Sequence, residues 1–178
     1  MRRIFWFLNK FFMVPIFRLG LGPFFGNPFT GYIMVLKVIG RKSGKTRYAP
    51  VNYAILDGKV YCVSGFRGVA DWYKNLRTHP TVEAILPGGA IAAPAVEIND
   101  PAIRVKAIRK IFQNGGFAGF FEGFNPFRIS DDELLRRTAD MPLICLQPTG
   151  WASGAADPGG WAWVWAPVLL GVIILAFR

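Results

Sequence analysis

Residues 32–64, YIMVLKVIGRKSGKTRYAPVNYAILDGKVYCVS, decide the fold. The first eight are mostly apolar and β-branched, which suits a strand on a pleated, buried surface. The run stops at a turn rich in glycine and cations (40–47), resumes over 48–56, reverses at Asp57-Gly58 and returns over 59–64. Asp-Gly supplies the two positive-φ positions of a tight hairpin corner, so 48–64 predicts a β-hairpin.

Working outward, residues 71–78 (DWYKNLRT) predict a short helix capped by Asp71 and closed by His79-Pro80. Residues 81–86 and 90–98 predict a second hairpin around Pro87-Gly88-Gly89. Asp100-Pro101 provides a cap and a first-turn proline for a helix reaching about Gln113. A loop of glycine and phenylalanine covers 114–127. Ser130 and Glu133 have capping-box spacing for a helix through Ala139, and 141–147 reads as the last strand. Strands dominate, and there is no strand, long helix, strand alternation. The economical packing is mainly β with flanking α (α+β), a small antiparallel barrel carrying its helices outside.

The 178 residues suffice for one compact domain with short appendages. They are 52% hydrophobic and 15% aromatic, with a mean hydropathy of +0.30, so some apolar surface is expected to meet lipid or a partner. Lys plus Arg number 21 against 11 acids, a net +10, and nine cations precede the first acid, Asp57. Such a basic front attracts anionic lipid, nucleic acid, or a ligand carrying phosphates and carboxylates. Nucleic acid ranks last, because the aromatics lie in apolar runs and do not form exposed stacking platforms. Cys62 and Cys145 sit in apolar strand-like runs and read as core filler, with a disulfide as the alternative. Two cysteines and the single histidine, His79, form no zinc pattern and no nucleophile–base pair, so no catalytic residue is assigned.

Both termini point to a membrane. Residues 161–177 carry no charge, with Trp161, Trp163 and Trp165 crowding one end and Arg178 closing the other. This predicts a C-terminal anchor over 161–178, bent at Pro167 and joined by a linker at 149–160, with a buried terminal helix as the alternative. Residues 1–22 read as an amphipathic interfacial segment bent or ended at Pro15, or else as a helix packed across the barrel. The positive charges place the barrel, residues 23–148, on the cytoplasmic side of the membrane.

The segment 40–47 is not a nucleotide phosphate loop. Gly40 and Gly44 enclose three residues where that pattern needs four, and Arg47 leads into an extended chain with no helix start to face a phosphate. It does combine Arg41, Lys42, Lys45 and Arg47 with the Ser43 hydroxyl and two glycines that let backbone N–H groups turn toward an anion. A solvated basic turn is the alternative. A second loop, Ser64-Gly65-Phe66-Arg67-Gly68, runs into Asp71-Trp72-Tyr73-Lys74-Asn75, so two anion-friendly bends follow neighbouring strands.

With these motifs in order, the chain from about Phe11 to Leu146 resembles the deazaflavin-dependent nitroreductase family of the flavin-binding split-barrel superfamily. The resemblance is carried by Val14-Pro15, residues 19–23 (LGLGP), Gly40-Arg41-Lys42-Ser43-Gly44 with Arg47 and Pro50, Asp57-Gly58, Ser64, residues 72–76 (WYKNL) and Pro80. It implies a split β-barrel, to which the C-terminal hydrophobic helix, outside what the resemblance covers, is added, and coenzyme F420, a deazaflavin bearing a phosphate and an oligoglutamate tail. It implies hydride transfer from the reduced cofactor to a quinone, nitro compound or other lipophilic acceptor. By family position Arg41, Lys42, Ser43, Gly44 and Arg47 hold the tail. Pro50, Val51, Asn52, Ser64 and Gly65 line the ring, with Arg67 and Gly68 beside them, and Trp72, Tyr73 and Asn75 close the site. FMN or haem are the alternative cofactors, and a membrane-associated, non-catalytic module for haem, FMN, fatty acid or anionic lipid is the alternative function. A homodimer is also expected. Asn52 stands where relatives often carry an aromatic, and phenylalanines occupy 112–127 where relatives use tyrosines.

Overall fold

The computed structural model describes residues 7–19, 21–22, 31–65, 68–120, 123–152 and 165–176. Arg67, most of the linker and the tryptophans Trp161 and Trp163 lie outside them, as do Arg2, Arg3 and Arg178.

Among the described residues seven strands form: β1 (Ile33–Ile39), β2 (Thr46–Leu56), β3 (Lys59–Val63), β4 (Thr81–Leu86), β5 (Gly89–Ile98), β6 (Leu143–Leu146) and a short β7 (Gly150–Trp151). Every pairing is antiparallel, the order is β4-β1-β2-β3-β6-β5, and β5 returns to β4, closing a six-stranded barrel. The flavin-type split barrel is thus the observed architecture. Two long strands serve both halves of the barrel. β2 pairs with β1 from Thr46 to Asn52 and with β3 only from Tyr53 to Leu56. β5 pairs with β4 up to Pro94 and with β6 from Ala95. β7, which sequence did not suggest, adds to the edge of β5.

The corners follow from local chemistry. Asp57 and Gly58 take φ of 51° and 73°, the expected tight corner. Asp100 Oδ1 accepts from the Ile103 N–H (2.9 Å) to start α3 (Pro101–Gln113), after α1 (Val14–Arg18) and α2 (Asp71–Thr78). Ser130 Oγ likewise accepts from the Glu133 N–H (3.3 Å) to start α4 (Asp131–Arg137). Asp71 departs from expectation. Ala70 is the extended cap residue and Asp71 is the first residue inside α2, so its carboxylate is not used on the helix's own N–H groups.

Strand alternation sorts the core into three layers. Met34, Leu36, Val38, Val51, Tyr53, Val60, Cys62, Val82, Ala84, Ala93, Ile144 and Leu146 fill the barrel, whose end is plugged by Tyr73 and Leu76 of α2. The opposite faces of β3 and β6 pack under α3 and α4 through Tyr61, Leu143, Cys145, Ala107, Ile108, Ile111 and Leu134. Phe17, with Met13 and Ile16, covers Val35, Ile85 and Ala90. Part of the N-terminal segment therefore packs across the barrel, while Phe7, Leu8, Phe11 and Phe12 on it are exposed. Pro15 lies inside one helical run that passes from a π-helical turn (Asn9–Met13) into α1, so it does not end the helix.

Cys62 faces the barrel interior and Cys145 the outer layer, so the two thiols lie on opposite faces of adjacent strands and are both free. Burial pushes the Cys62 thiol up to about 12, which leaves it inert. The disulfide alternative is thereby removed. The C-terminal helix α5 (Trp165–Ala176) is apolar and its described side chains are mostly exposed, against the expectation of a buried terminal helix. Pro167 lies in the part of this helix nearest the residues outside the description. Among the described residues no helix is long and apolar enough to cross a membrane.

Candidate functional site

The split in the barrel is a consequence of register. Beyond Tyr53↔Cys62 the β2–β3 ladder stops, although continuing it would set Val51 opposite Ser64 and Pro50 opposite Gly65. From Thr46 to Asn52, β2 has a ladder partner on one side only, β1. Pro50, which has no N–H to donate, is compatible with such an edge. The two separately predicted groups, Pro50 to Asn52 and Ser64 to Gly65, thus each continue their strand past the point where the β2–β3 ladder stops. Alternation divides the first group. Val51 points into the barrel, whereas Pro50 and Asn52 are on the other face, where Asn52 Nδ2 donates to the Tyr32 carbonyl (3.3 Å).

Ser64 continues the inward set of Val60 and Cys62. Its N–H donates to the Pro142 carbonyl (3.0 Å), its side chain is fully buried, and its hydroxyl has no hydrogen-bond partner. An orphaned buried hydroxyl is uncommon and costs desolvation free energy until a partner arrives. Gly68 (φ 68°) follows, packed so that a β-carbon would lie 3.5 Å from both Pro142 and Tyr73.

The basic turn closes tightly at one end of β1. The Gly40 N–H donates to the Lys45 carbonyl (2.9 Å) and the Gly44 N–H to the Gly40 carbonyl (2.8 Å), with Gly44 at φ 63°. A β-carbon at Gly40 would lie 2.9 Å from Ser43 Oγ and 3.1 Å from the Lys45 carbonyl oxygen, so any side chain there would crowd the turn and displace that hydroxyl. Ser43 Oγ accepts from the Lys45 N–H (3.4 Å) and from the Arg47 guanidinium (3.5 Å). Arg47 belongs to β2, paired with Val38, and it, Lys42 and Lys45 are exposed.

Helix α2 joins the two bends. Arg41 reaches it with its main chain and its side chain, and residues 68–70 lead into its first turn. Tyr73, also from α2, donates its hydroxyl to Glu97 Oε2 (2.7 Å) at the end of β5, and burial together with that carboxylate raises its pKa. Trp72 is half-buried against the barrel core, edge-on to Tyr73. Asn75 is buried and its side-chain oxygen is engaged by Arg41. Sequence reasoning missed Asp71 and Glu97 as partners of Arg41 and Tyr73. Each contact spans more than twenty positions, and no local pattern announces it.

The fold thus provides a six-stranded barrel with a one-sided stretch of β2, an unpartnered buried hydroxyl at Ser64 and the exposed cations Lys42, Lys45 and Arg47 on and after the turn that follows β1. Residues 17–112, more than half of the chain, match the family described as F420H(2)-dependent quinone reductase, and the chain belongs to that family. It is accordingly an oxidoreductase that uses coenzyme F420.

Among solved structures, a conserved hypothetical protein from Mycobacterium tuberculosis is 12% identical, with a TM-score of 0.49 over 71% of this chain and 79% of that one. An F420-H2-dependent reductase is 22% identical, TM-score 0.44, over 65% of this chain and 93% of that one. The haem storage protein HutZ from Vibrio cholerae is 13% identical, TM-score 0.47, over 78% of this chain and 89% of that one. No curated protein matches the chain.

Proposed function

We propose that the chain reduces a small lipophilic acceptor, a quinone or a nitro compound, with the F420 ring seated where β2 parts from β3, beside Ser64 and Gly65. When bound, the reduced cofactor supplies the hydride, and the protein supplies placement and electrostatics. Lys42, Lys45, Arg47 and the Ser43 hydroxyl are the groups available for the phosphate-bearing, polycarboxylate tail. The Pro50–Asn52 edge and Gly65 present main-chain groups to the ring, and Val51 with the α2 plug beneath keeps that region dry.

The orphaned Ser64 hydroxyl carries this reading, because among the described residues it alone is a buried side-chain polar atom without a partner, and it sits at the split. A Ser64→Ala variant is expected to act with opposite signs on stability and binding. Removing the unpaired hydroxyl should stabilise the ligand-free protein by about 1 kcal/mol in urea denaturation, while weakening F420 binding roughly 10-fold in a fluorescence titration. The wild type should also oxidise reduced F420 on adding menadione. Binding no tighter than about millimolar, or a Ser64→Ala variant that loses stability and keeps its affinity, defeats the assignment.

A membrane-associated position for the enzyme is part of the same proposal. It is supported by the exposed apolar helix α5, by the exposed Phe7, Leu8, Phe11 and Phe12, and by the basic N-terminal third. Deleting residues 160–178 should shift the protein from the membrane pellet to the supernatant and preserve menadione turnover. A truncated protein that still pellets would transfer the anchoring role to the N-terminal aromatic face.

A further inference from the structure

We infer that Arg41 is a positioning residue that locks the cofactor loop onto α2, and not a ligand to the cofactor's anionic tail. The inference rests on reading the Gly40–Arg47 turn as the tail site. It refines that reading by removing one cation from the binding set and adding two residues, Asp71 and Asn75, as the loop's anchor.

The guanidinium is already directed. Nη1 donates to Asn75 Oδ1 (2.9 Å) and lies 3.4 Å from the Asp71 carbonyl oxygen, and Nη2 pairs with Asp71 Oδ1 at 3.0 Å. The Arg41 main-chain N–H reaches the same Asn75 oxygen (3.2 Å), so backbone and side chain converge on one acceptor. That acceptor is rigid, since Asn75 is 5% exposed and its neighbours Tyr73 and Leu76 plug the barrel. Arg41 occupies the first position of the turn, immediately after Gly40, whose N–H and carbonyl carry the turn's own hydrogen bonds. Anchoring this position fixes where Lys42, Ser43, Lys45 and Arg47 project. The planar fork of arginine makes all of these contacts at once, which a lysine ammonium on a flexible stem does not.

The sign of one substitution separates the two roles. Asp71 is an exposed carboxylate beside a site for a polyanion. If Arg41 met the tail directly, Asp71→Asn would remove a repulsive charge and release the guanidinium, and F420 would bind more tightly. If Asp71 anchors the loop, the same change loosens binding although it removes a negative charge. We expect Asp71→Asn to weaken F420 binding about 3- to 10-fold and Arg41→Gln about 10-fold, with the double variant no weaker than Arg41→Gln alone. Arg41→Lys should not restore affinity. The salt dependence of binding should keep its slope in Arg41→Gln and become shallower in Lys45→Gln.

Amide hydrogen exchange on the ligand-free protein supplies a readout independent of the cofactor. The Gly40 and Gly44 N–H groups should exchange several-fold faster in both Arg41→Gln and Asp71→Asn than in wild type. Tighter binding in Asp71→Asn, additive losses in the double variant, or unchanged exchange at Gly40 and Gly44 would each overturn the inference. Faster exchange in a protein that binds no F420 would uphold the anchor and instead sink the proposed function.

Discussion

An Arg104→Ala variant is expected to lose about 3 kcal/mol of folding stability, the largest single-residue effect proposed for this chain. Arg104 lies on the inner face of α3 and is 9% exposed. Its Nη2 donates to the carbonyls of Thr138 (2.8 Å) and Met141 (3.2 Å), and its Nη1 approaches that of Ile98 at 3.5 Å. Burial lowers its pKa, with Glu97 acting in the opposite direction. One side chain thus ties together the end of β5, helix α3 and the turn from α4 into β6. Truncation leaves carbonyls in a region that water does not replace easily, and removes the stem that packs there. Arg104→Lys should recover little, because one ammonium cannot reach acceptors spread over three segments. The measurement is the urea midpoint at unchanged slope. A loss below about 1 kcal/mol would show that the carbonyls are satisfied otherwise. The effect should extend to the site, since Pro142, next to Met141, accepts from the Ser64 N–H and borders Gly68.

The parts of this architecture legible in sequence are those that local chemistry fixes. Asp57-Gly58 has the positive-φ preference that a two-residue hairpin corner needs, and Asp100 and Ser130 each reach an N–H three residues ahead. The same local logic misplaced Asp71 by one position. Ala70 took the extended cap conformation, and the carboxylate was left for a partner thirty residues away. The closure of β5 onto β4, the handover at Pro94 and the Tyr73–Glu97 contact are likewise non-local, and strand periodicity is silent about them. For the site, the residues came from resemblance, but their arrangement came from register. Nothing in the sequence says that the β2–β3 ladder stops at Tyr53, and that stop is what opens the split. Nor does an apolar strand ending in serine reveal that its hydroxyl will be buried without a partner.

Arg47→Ala is expected to weaken F420 binding by about 1.5–3 kcal/mol, roughly 10- to 150-fold, while leaving the fold intact. Its place in β2 explains both halves of that outcome. Arg47 shares the side-chain direction of Ala49, Val51 and Tyr53, which point into the barrel, but it pairs with Val38, the last of the core residues of β1, so its exposed guanidinium stands at the end of the barrel. Its one described hydrogen bond, 3.5 Å to Ser43 Oγ, is at the outer limit of such contacts, so its loss should change stability by less than about 0.5 kcal/mol. The guanidinium can therefore turn to an arriving phosphate or carboxylate without breaking a buried network, in contrast to Arg41, which would have to leave Asp71 and Asn75. Arg47→Lys should recover part of the affinity, since it restores the charge without the bidentate geometry. The loss should also shrink as salt is raised, because an exposed charge is screened over about 10 Å at 0.1 M ionic strength. An affinity unchanged by Arg47→Ala would take this residue out of the site, and would leave Lys42 and Lys45 as the cations for the tail.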